Sequence, residues 1–161
     1  EAVNAALGLV KEHLLNLLKE EAPVKLEERH VVTCFLKHDR KILILRRSQK
    51  VGTYQGRWAG VSGYVETSDD QQAYTEITEE TGLAKEDIQL LKKGKPLEVV
   101  DKSLNRKWLV HPFLFQVKTP QKIKIDWEHK EAKWIDASEI TGYETVPGLA
   151  EALNRVVDKL K

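Results

Sequence analysis

The sequence lacks the features that would point to a secreted, nucleic-acid-binding or membrane protein. Its single cysteine, Cys34, cannot form an intramolecular disulfide, so a reducing compartment such as the cytoplasm fits best. The 26 Lys and Arg residues are balanced by 25 Asp and Glu residues, so no net basic field favours a nucleic acid. The apolar runs fall far short of the roughly 20 residues that a membrane span requires. We therefore expect a cytoplasmic protein without a nucleic-acid or membrane partner.

Methionine and a recognisable secretory signal are also absent. Because the chain starts at Glu1 without a methionine, we expect either a trimmed N-terminus or a segment cut from a longer protein. Hydrophobic residues make up 41% of the sequence and charged residues 32%, a balance that excludes an intrinsically disordered chain. A length of 161 residues predicts one domain with a substantial core.

Residues 1-24 are predicted to form an amphipathic helix that Pro23 ends. The apolar residues at helical spacing are Val3, Leu7, Val10, Leu14, Leu17 and Leu18. Acidic residues offset Lys11 and Lys19, which disfavours a membrane-surface helix because such a helix needs a basic polar face. We expect the helix to pack either on its own domain or on the mate in a homodimer.

The remainder, residues 25-161, has a pattern typical of one domain that mixes strands and helices. Strands are predicted at 29–37, 41–47, 88–92, 97–100, 107–118, 123–125 and 134–135, with a hairpin at 38–40 and a short strand ending at 65–66. One helix is predicted from Asp69 to Thr81, with a capping box of Ser68 and Gln71 and a stop at Gly82. A second runs from 147 to 160. Without regular βαβ alternation, this order predicts a mixed sheet between helices.

Three glutamates share one face of the helix predicted at 69–81. Glu76, Glu79 and Glu80 stand at i, i+3 and i+4, which brings their Cβ atoms to roughly 5–6 Å from one another. A solvated acidic face normally interleaves cations, whereas no Lys or Arg stands three or four residues from any of them. Glu79 and Glu80 also lie in the last turn, where the helix dipole disfavours each negative charge by about 0.3–1 kcal/mol. Such grouped carboxylates predict a site for a hard divalent cation, Mg²⁺ or Mn²⁺.

The segment around these glutamates resembles the Nudix box. It runs from Gly63 to Leu83 and reads GYVETSDDQQAYTEITEETGL. The residues on the family's signature positions are Glu76, Ile77, Glu79, Glu80, Gly82 and Leu83. Upstream, Trp58 and the Ser62-Gly63 pair are similar to residues that lead into the box, and segment 131–139 is similar to a stretch near the end of Nudix domains. The resemblance spans about residues 28–161.

The box departs from the family's pattern at two linked places. Gly63 lies two residues too close to Glu76, and the box's first glutamate has no clear counterpart; Thr67 occupies its place if the gap falls after Glu66. Thr75 stands where the family has an arginine. In the family these two residues brace the loop and helix through charged contacts, and here both are replaced together. Because the three glutamates remain, we interpret the change as a rebuilt brace and not as a dead site.

The resemblance implies a Nudix-type α/β/α sandwich with a mixed sheet, plus the extra N-terminal helix. It also implies a hydrolase that cleaves the phosphoanhydride bond of a nucleoside diphosphate linked to another moiety. The implied metal ligands are Glu76, Glu79 and Glu80, with the backbone carbonyl of Ser62, holding Mg²⁺ or Mn²⁺. The candidates for catalytic work are Glu76, Glu79, Glu80, Glu128 and Glu131. Among them, the last three stay open as the general base.

Substrate contacts are predicted next to the second strand. Arg46, Arg47 and Lys50 could donate to phosphate, although a solvated strand end explains them equally well. Of the aromatic residues, Tyr54 is the one expected to contact a ligand, because its loop is flanked by glycines. His111, which precedes a proline inside a long strand, is expected to be structural.

Two other functions compete with a small-molecule nucleotide hydrolase. A non-catalytic Nudix module that binds a nucleotide and regulates a partner would explain the replaced box residues. An isoprenoid diphosphate isomerase is disfavoured, because that chemistry needs a cysteine near the metal site and Cys34 falls in a different strand. The substrate itself has no clear signature in the sequence.

Overall fold

The structure is a computed structural model that describes residues 2–21 and 25–158. Its helices and strands are, in chain order, α1 (Ala2–Glu21), β1 (Glu27–His38), β2 (Lys41–Arg47), β3 (Trp58–Ala59), β4 (Val61–Tyr64), α2 (Asp69–Thr81), β5 (Ile88–Lys93), β6 (Leu97–Asp101), β7 (Arg106–Val117), β8 (His129–Ile135) and α3 (Leu149–Asn154). Short 3-10 helices lie at 85–87, 102–104, 120–122 and 137–142.

The strands form one mixed sheet in the order β3-β2-β1-β7-β5, with β4 added to β1, β6 to β7 and β8 to β2. Only the β1–β7 pair among the described strands is parallel, from Glu27 opposite Arg106 to Lys37 opposite Gln116. Strand β1 is central because it pairs with β2 at one end and with β4 over Val31–Cys34. This arrangement confirms the predicted mixed sheet.

Alternating side chains of the central strands build a core on each face of the sheet. On one face, Val32 and Cys34 pack with Ala73 and Ile77 of α2. On the other, Phe35 packs in a second cluster that includes residues of α3. Each fully buried aliphatic side chain contributes roughly 1.5–3 kcal/mol. The predicted α/β/α sandwich is therefore confirmed, and its packing fixes the face that α2 presents.

Two predicted elements differ from the structure. Residues 123–125 are not a strand; Ile123 and Ile125 pack against the core beside α2, while the Lys124 N–H donates to the carbonyl of Thr81. Their alternation reflects burial without a strand partner. The closing helix is shorter than 147–160, because it begins after Gly148, which has φ 80°, and gives way to turns after Asn154. The end of that prediction, beyond 158, lies outside the described residues.

The predicted N-terminal helix is present as α1. Its described side chains, from residue 5 to 14, are all exposed, including 63% of Leu7 and 68% of Leu9. They therefore do not pack on the described part of the sheet, and packing on a homodimer mate stays a prediction. Among the described residues, no helix combines the length and apolarity needed to cross a bilayer.

Gly82 ends α2 as the sequence predicts, in the left-handed conformation with φ 76°. Its N–H donates to the carbonyl of Thr78 at 2.9 Å. We expect Gly82→Val to lower the free energy of unfolding by about 1–2 kcal/mol, because a side chain is strained in this conformation. Urea denaturation measures the change. Gly142→Val is the control, since its Cβ would meet open space at an ordinary φ; equal losses in both variants would contradict the assignment.

Candidate active site

A cavity of 460 Å³ lies between the sheet and the loop that follows β2. Alternate side chains of three paired strands line this cavity. They are Val31 and Thr33 of β1, Ser62 and Tyr64 of β4, and Val110 of β7. Acidic, basic and aromatic side chains complete its lining: Glu66, Glu76, Glu79, Glu128, Arg47, Lys50, Tyr54, Trp108 and Trp127. Carboxylates and cations therefore face the same space.

The α2 side of the cavity depends on Gly63. A Cβ placed on Gly63 would lie 2.1 Å from Cδ of Glu76, so no larger residue fits while Glu76 keeps its place. Glu76 is half-buried, and burial raises the pKa of its carboxyl. Gly63 therefore provides the space through which this predicted metal ligand reaches the cavity.

Glu80 is the most unusual residue of the site. Its side chain is almost fully buried, and its Oε2 atom has no hydrogen-bond partner. Burial raises the pKa of Glu80 to about 11, and the carboxylates of Glu128 and Glu76 add to the shift. An unsatisfied buried polar group costs about 1–3 kcal/mol, and a charged one costs more. A bound cation would compensate this cost.

Glu128 and His129 complete an acidic cluster with Glu80. One ligand atom from each of the three residues lies within 4.8 Å of the other two. His129 is buried, with Nε2 3.5 Å from Oε1 of Glu80, and burial lowers the pKa of its imidazole. A neutral imidazole beside carboxylate oxygens is a donor set suited to Mn²⁺, while the carboxylates alone suit Mg²⁺. The residues present therefore fit a divalent cation.

Sequence reasoning did not identify His129. Its role depends on the pairing of β8 with β2, in which Arg47 stands opposite His129. The junction is held by a hydrogen bond from the Ser48 N–H to the carbonyl of Glu128 at 2.7 Å. No local spacing connects this segment with α2, so only the Glu128-His129 pair itself, a carboxylate next to an imidazole, could have indicated the site.

The two neighbouring arginines separate. Arg47 lines the cavity, and its Nε donates to the carbonyl of Thr53 at 2.9 Å. Arg46 is not among the lining residues; its Nη1 instead lies 3.3 Å from Oε1 of Glu131 on the paired strand. The two side chains leave β2 on opposite sides, and the pairing of β2 with β8 shifts register between them. The structure thus brings Arg47 and Lys50 to the cavity, but neither Arg46 nor Glu131.

Tyr54 lies in the wall of the cavity. Its hydroxyl donates to Oδ2 of Asp101 at 2.6 Å and accepts from the Nε1–H of Trp108 at 3.1 Å. Burial, followed by the hydrogen bond with Asp101, raises the pKa of Tyr54 to about 12. The residue has φ 51°, so its backbone is held in a conformation that side chains rarely adopt. Its hydroxyl is fully engaged in bracing the wall, and its ring packs against Trp108.

Gln72 links the loop before α2 to Glu76. Its Nε2–H donates to Oε1 of Glu76 at 2.9 Å, and its Oε1 accepts from the N–H of Glu66 at 3.2 Å. The side chain is buried. Thr67 and Thr75, at the positions of the family's brace, are exposed and bond to Gln71 instead. Sequence reasoning missed Gln72 because a neutral amide carries no charge signal.

The sequence model of the NUDIX domain family matches residues 27–158 of this chain. The chain therefore belongs to the Nudix family, a class of enzymes that hydrolyse phosphoanhydrides. The family predicted from the sequence is confirmed. No curated protein matches the chain.

Solved structures with the same fold include a MutT protein from Methanosarcina mazei Go1, at 22% identity and TM-score 0.66, covering 83% of this chain and 95% of that one. A C. elegans Ap4A hydrolase is 18% identical with TM-score 0.63, covering 80% and 93%. A bifunctional NMN adenylyltransferase/ADP ribose pyrophosphatase from Francisella tularensis is 23% identical with TM-score 0.66, covering 92% of this chain and 45% of that one. At these identities the similarity shows the shared fold alone.

Proposed function

We propose that this chain is a divalent-metal-dependent hydrolase that cleaves the phosphoanhydride bond of a nucleoside diphosphate linked to another moiety. The observation that carries the proposal is the buried Oε2 of Glu80, which has no partner and belongs to an acidic cluster beside a cavity with two cations. A purely structural role leaves this oxygen unexplained. We also propose that residues 25-161 form the catalytic domain and that residues 1-24 stand apart from it.

The side chains divide into three groups by role. Glu76, Glu79 and Glu80, with the carbonyl of Ser62, would hold Mg²⁺ or Mn²⁺, and Glu128 and His129 lie close enough to contribute. When bound, the ion supplies charge neutralisation for the diphosphate and makes an attacking water more acidic.

Arg47 and Lys50 would bind phosphate oxygens through charged hydrogen bonds. Arg47 is the more rigid of the two, because Thr53 fixes its Nε. Lys50 is exposed on the same loop and reaches the cavity as a flexible point charge. The pair therefore provides one fixed and one adaptable contact for a diphosphate.

We propose Glu128 as the general base that takes the proton of the attacking water. It lines the cavity, and burial raises the pKa of its carboxyl, which makes it a stronger base than an exposed glutamate. Glu131, the other candidate on this segment, is tied to Arg46 outside the cavity.

Changing the two glutamates separately tests this choice. Glu128→Gln should lower kcat by roughly 10²–10⁴-fold, because the amide cannot accept the proton. Glu131→Gln should keep a kcat close to that of the unmodified chain. Turnover measured at saturating Mn²⁺ separates loss of the base from loss of metal. A larger decrease for Glu131→Gln than for Glu128→Gln would reverse the assignment.

The substrate class is tested by a panel of nucleoside diphosphate derivatives with Mg²⁺ and with Mn²⁺. The similar structures include a MutT protein, an Ap4A hydrolase and a bifunctional enzyme with an ADP ribose pyrophosphatase, so the shared fold does not select among substrates. The panel should therefore include a nucleoside triphosphate, a dinucleoside polyphosphate and ADP-ribose, with products identified by chromatography. Metal-dependent release of a nucleoside phosphate is the expected result.

The same panel decides the alternative of a non-catalytic, nucleotide-binding module. The replacement of the family's brace residues by Thr67 and Thr75 is the observation that favours it. Tight nucleotide binding without product release, under every metal condition, would establish the module and exclude the hydrolase.

A further inference from the structure

Trp127 stands at the rim of the cavity with most of its ring in solvent. Its side chain is 59% exposed, whereas Trp108, in the cavity wall, is 9% exposed. The two remaining tryptophans, Trp58 and Trp134, pack against core clusters. An exposed apolar side chain alone needs no explanation. Here, however, the largest side chain in the protein lies open beside Glu128, which we place in catalysis.

The backbone that carries Trp127 is held firmly. The hydroxyl of Ser48 donates to the carbonyl of Trp127 at 2.8 Å. On either side, the Ser48 N–H donates to the carbonyl of Glu128, and the Glu128 N–H donates to Oδ1 of Asp126 at 3.2 Å. The indole therefore projects from a backbone segment that is fixed beside the end of β2, next to the cations of the loop that follows β2.

The other aromatic rings of the cavity already have partners. Tyr64 stacks on Trp108 with ring centroids 6.2 Å apart, and the guanidinium of Arg106 lies 5.1 Å from the Trp108 ring. Tyr54 also packs on Trp108, at 6.5 Å between centroids. For Trp127, no aromatic or cation partner is present among the described residues. Its free ring faces are thus the ones open to a ligand.

We propose that Trp127 is the stacking platform for the nucleobase of the substrate and so contributes to its specificity. This inference rests on the proposed function: with a diphosphate held between the carboxylates and Arg47, a group attached to it extends to the rim. The carboxylates of Asp126 and Glu128 flank the ring in sequence and oppose a second anionic group there. A flat, uncharged ring is the chemistry that an exposed indole recognises best.

Two matched ligands isolate the contribution of the ring. The α,β-methylene analogue of ADP and methylenediphosphonate share a non-hydrolysable diphosphate, but only the first carries a base. With Mg²⁺ present, calorimetry on Trp127→Ala should show an affinity for the nucleotide analogue about tenfold weaker, since stacking on an aromatic side chain contributes this much or more. Affinity for methylenediphosphonate should stay the same. Trp127→Phe should restore most of the loss.

Leu91→Ala is the control, because Leu91 is 45% exposed and is not among the cavity's lining residues. It should alter neither affinity. Equal weakening of both ligands in Trp127→Ala, or no weakening of either, would overturn the stacking role. Failure of the hydrolase proposal is recognised separately: the substrate panel would show no turnover, while the ratio of the two analogue affinities would still report on the ring.

Discussion

Glu80→Gln should abolish metal-dependent turnover and, at the same time, make the metal-free protein more stable. The amide keeps the shape of the side chain but removes the charge that would hold a hard cation. In the metal-free protein, the carboxyl is buried with an unpartnered oxygen near Glu76 and Glu128, and its raised pKa keeps it protonated. The carboxyl must take up a proton when the chain folds, and glutamine removes this cost. A gain in stability with a loss of function is typical of residues selected for a site and not for the fold.

The stabilisation should grow with pH. Because the pKa of Glu80 is raised from 4.5 to about 11, the folded protein between these values retains a proton that the unfolded chain has released. Stability of the metal-free protein therefore falls as pH rises through this window. Gln has no proton to lose, so the variant lacks this contribution. The difference in melting temperature between variant and parent should be larger at pH 9 than at pH 6.

Thermal denaturation in EDTA at these two pH values, with Mn²⁺ titration calorimetry, measures both effects. Glu86→Gln is the control, since Glu86 is an exposed glutamate in the 3-10 helix after α2. It should change stability by no more than about 0.5 kcal/mol at either pH. Unchanged Mn²⁺ affinity in Glu80→Gln would exclude this residue as a ligand, and a lower melting temperature in EDTA would contradict the cost assigned to its burial.

The sequence predicts best those features that depend on contacts between residues close together in the chain. The helix at Asp69–Thr81 and the shared face of its glutamates depend on neighbours within four residues, and the structure has both. The capping box is half present: the Ser68 hydroxyl accepts from the Gln71 N–H, but the Gln71 side chain bonds to Thr67 instead of returning to Ser68. Spacing in the sequence indicates which residues can form a capping box, but contacts with the neighbouring loop determine which hydrogen bonds form.

Longer-range features of the site could not be predicted in the same way. Arg46 and Arg47 are adjacent residues of the same type, and only the tertiary structure shows that Arg47 lines the cavity while Arg46 pairs with Glu131. His129 meets Glu80 through the addition of β8 to the sheet. Ile123 and Ile125 alternate with polar residues as they would in a strand, yet they lie in a loop beside α2 and pack against the core partly buried. In each case tertiary contacts, and not local propensity, determine the outcome.

Gln72→Met should weaken Mn²⁺ binding by about 10–100-fold, the usual effect of removing a residue that orients a metal ligand. Methionine has a similar length but cannot donate to Glu76 or accept from the N–H of Glu66. The bond from Glu66 fixes the amide so that its Nε2 faces Glu76. Losing it should cost the fold only about 1 kcal/mol. A fall in metal affinity with little change in melting temperature therefore identifies a positioning role.

Two further variants test how the brace is built. Gln72→Glu can still accept from the Glu66 N–H but presents a second carboxylate to Glu76, so it should not restore metal affinity. Gln71→Met removes the side chain that contacts Thr67, at the place of the family's charged brace, and should leave Mn²⁺ affinity unchanged. If Gln71→Met weakens metal binding as much as Gln72→Met, the brace passes through Thr67 and Gln71. A loss confined to Gln72 means that a buried amide has taken over from the family's charged pair.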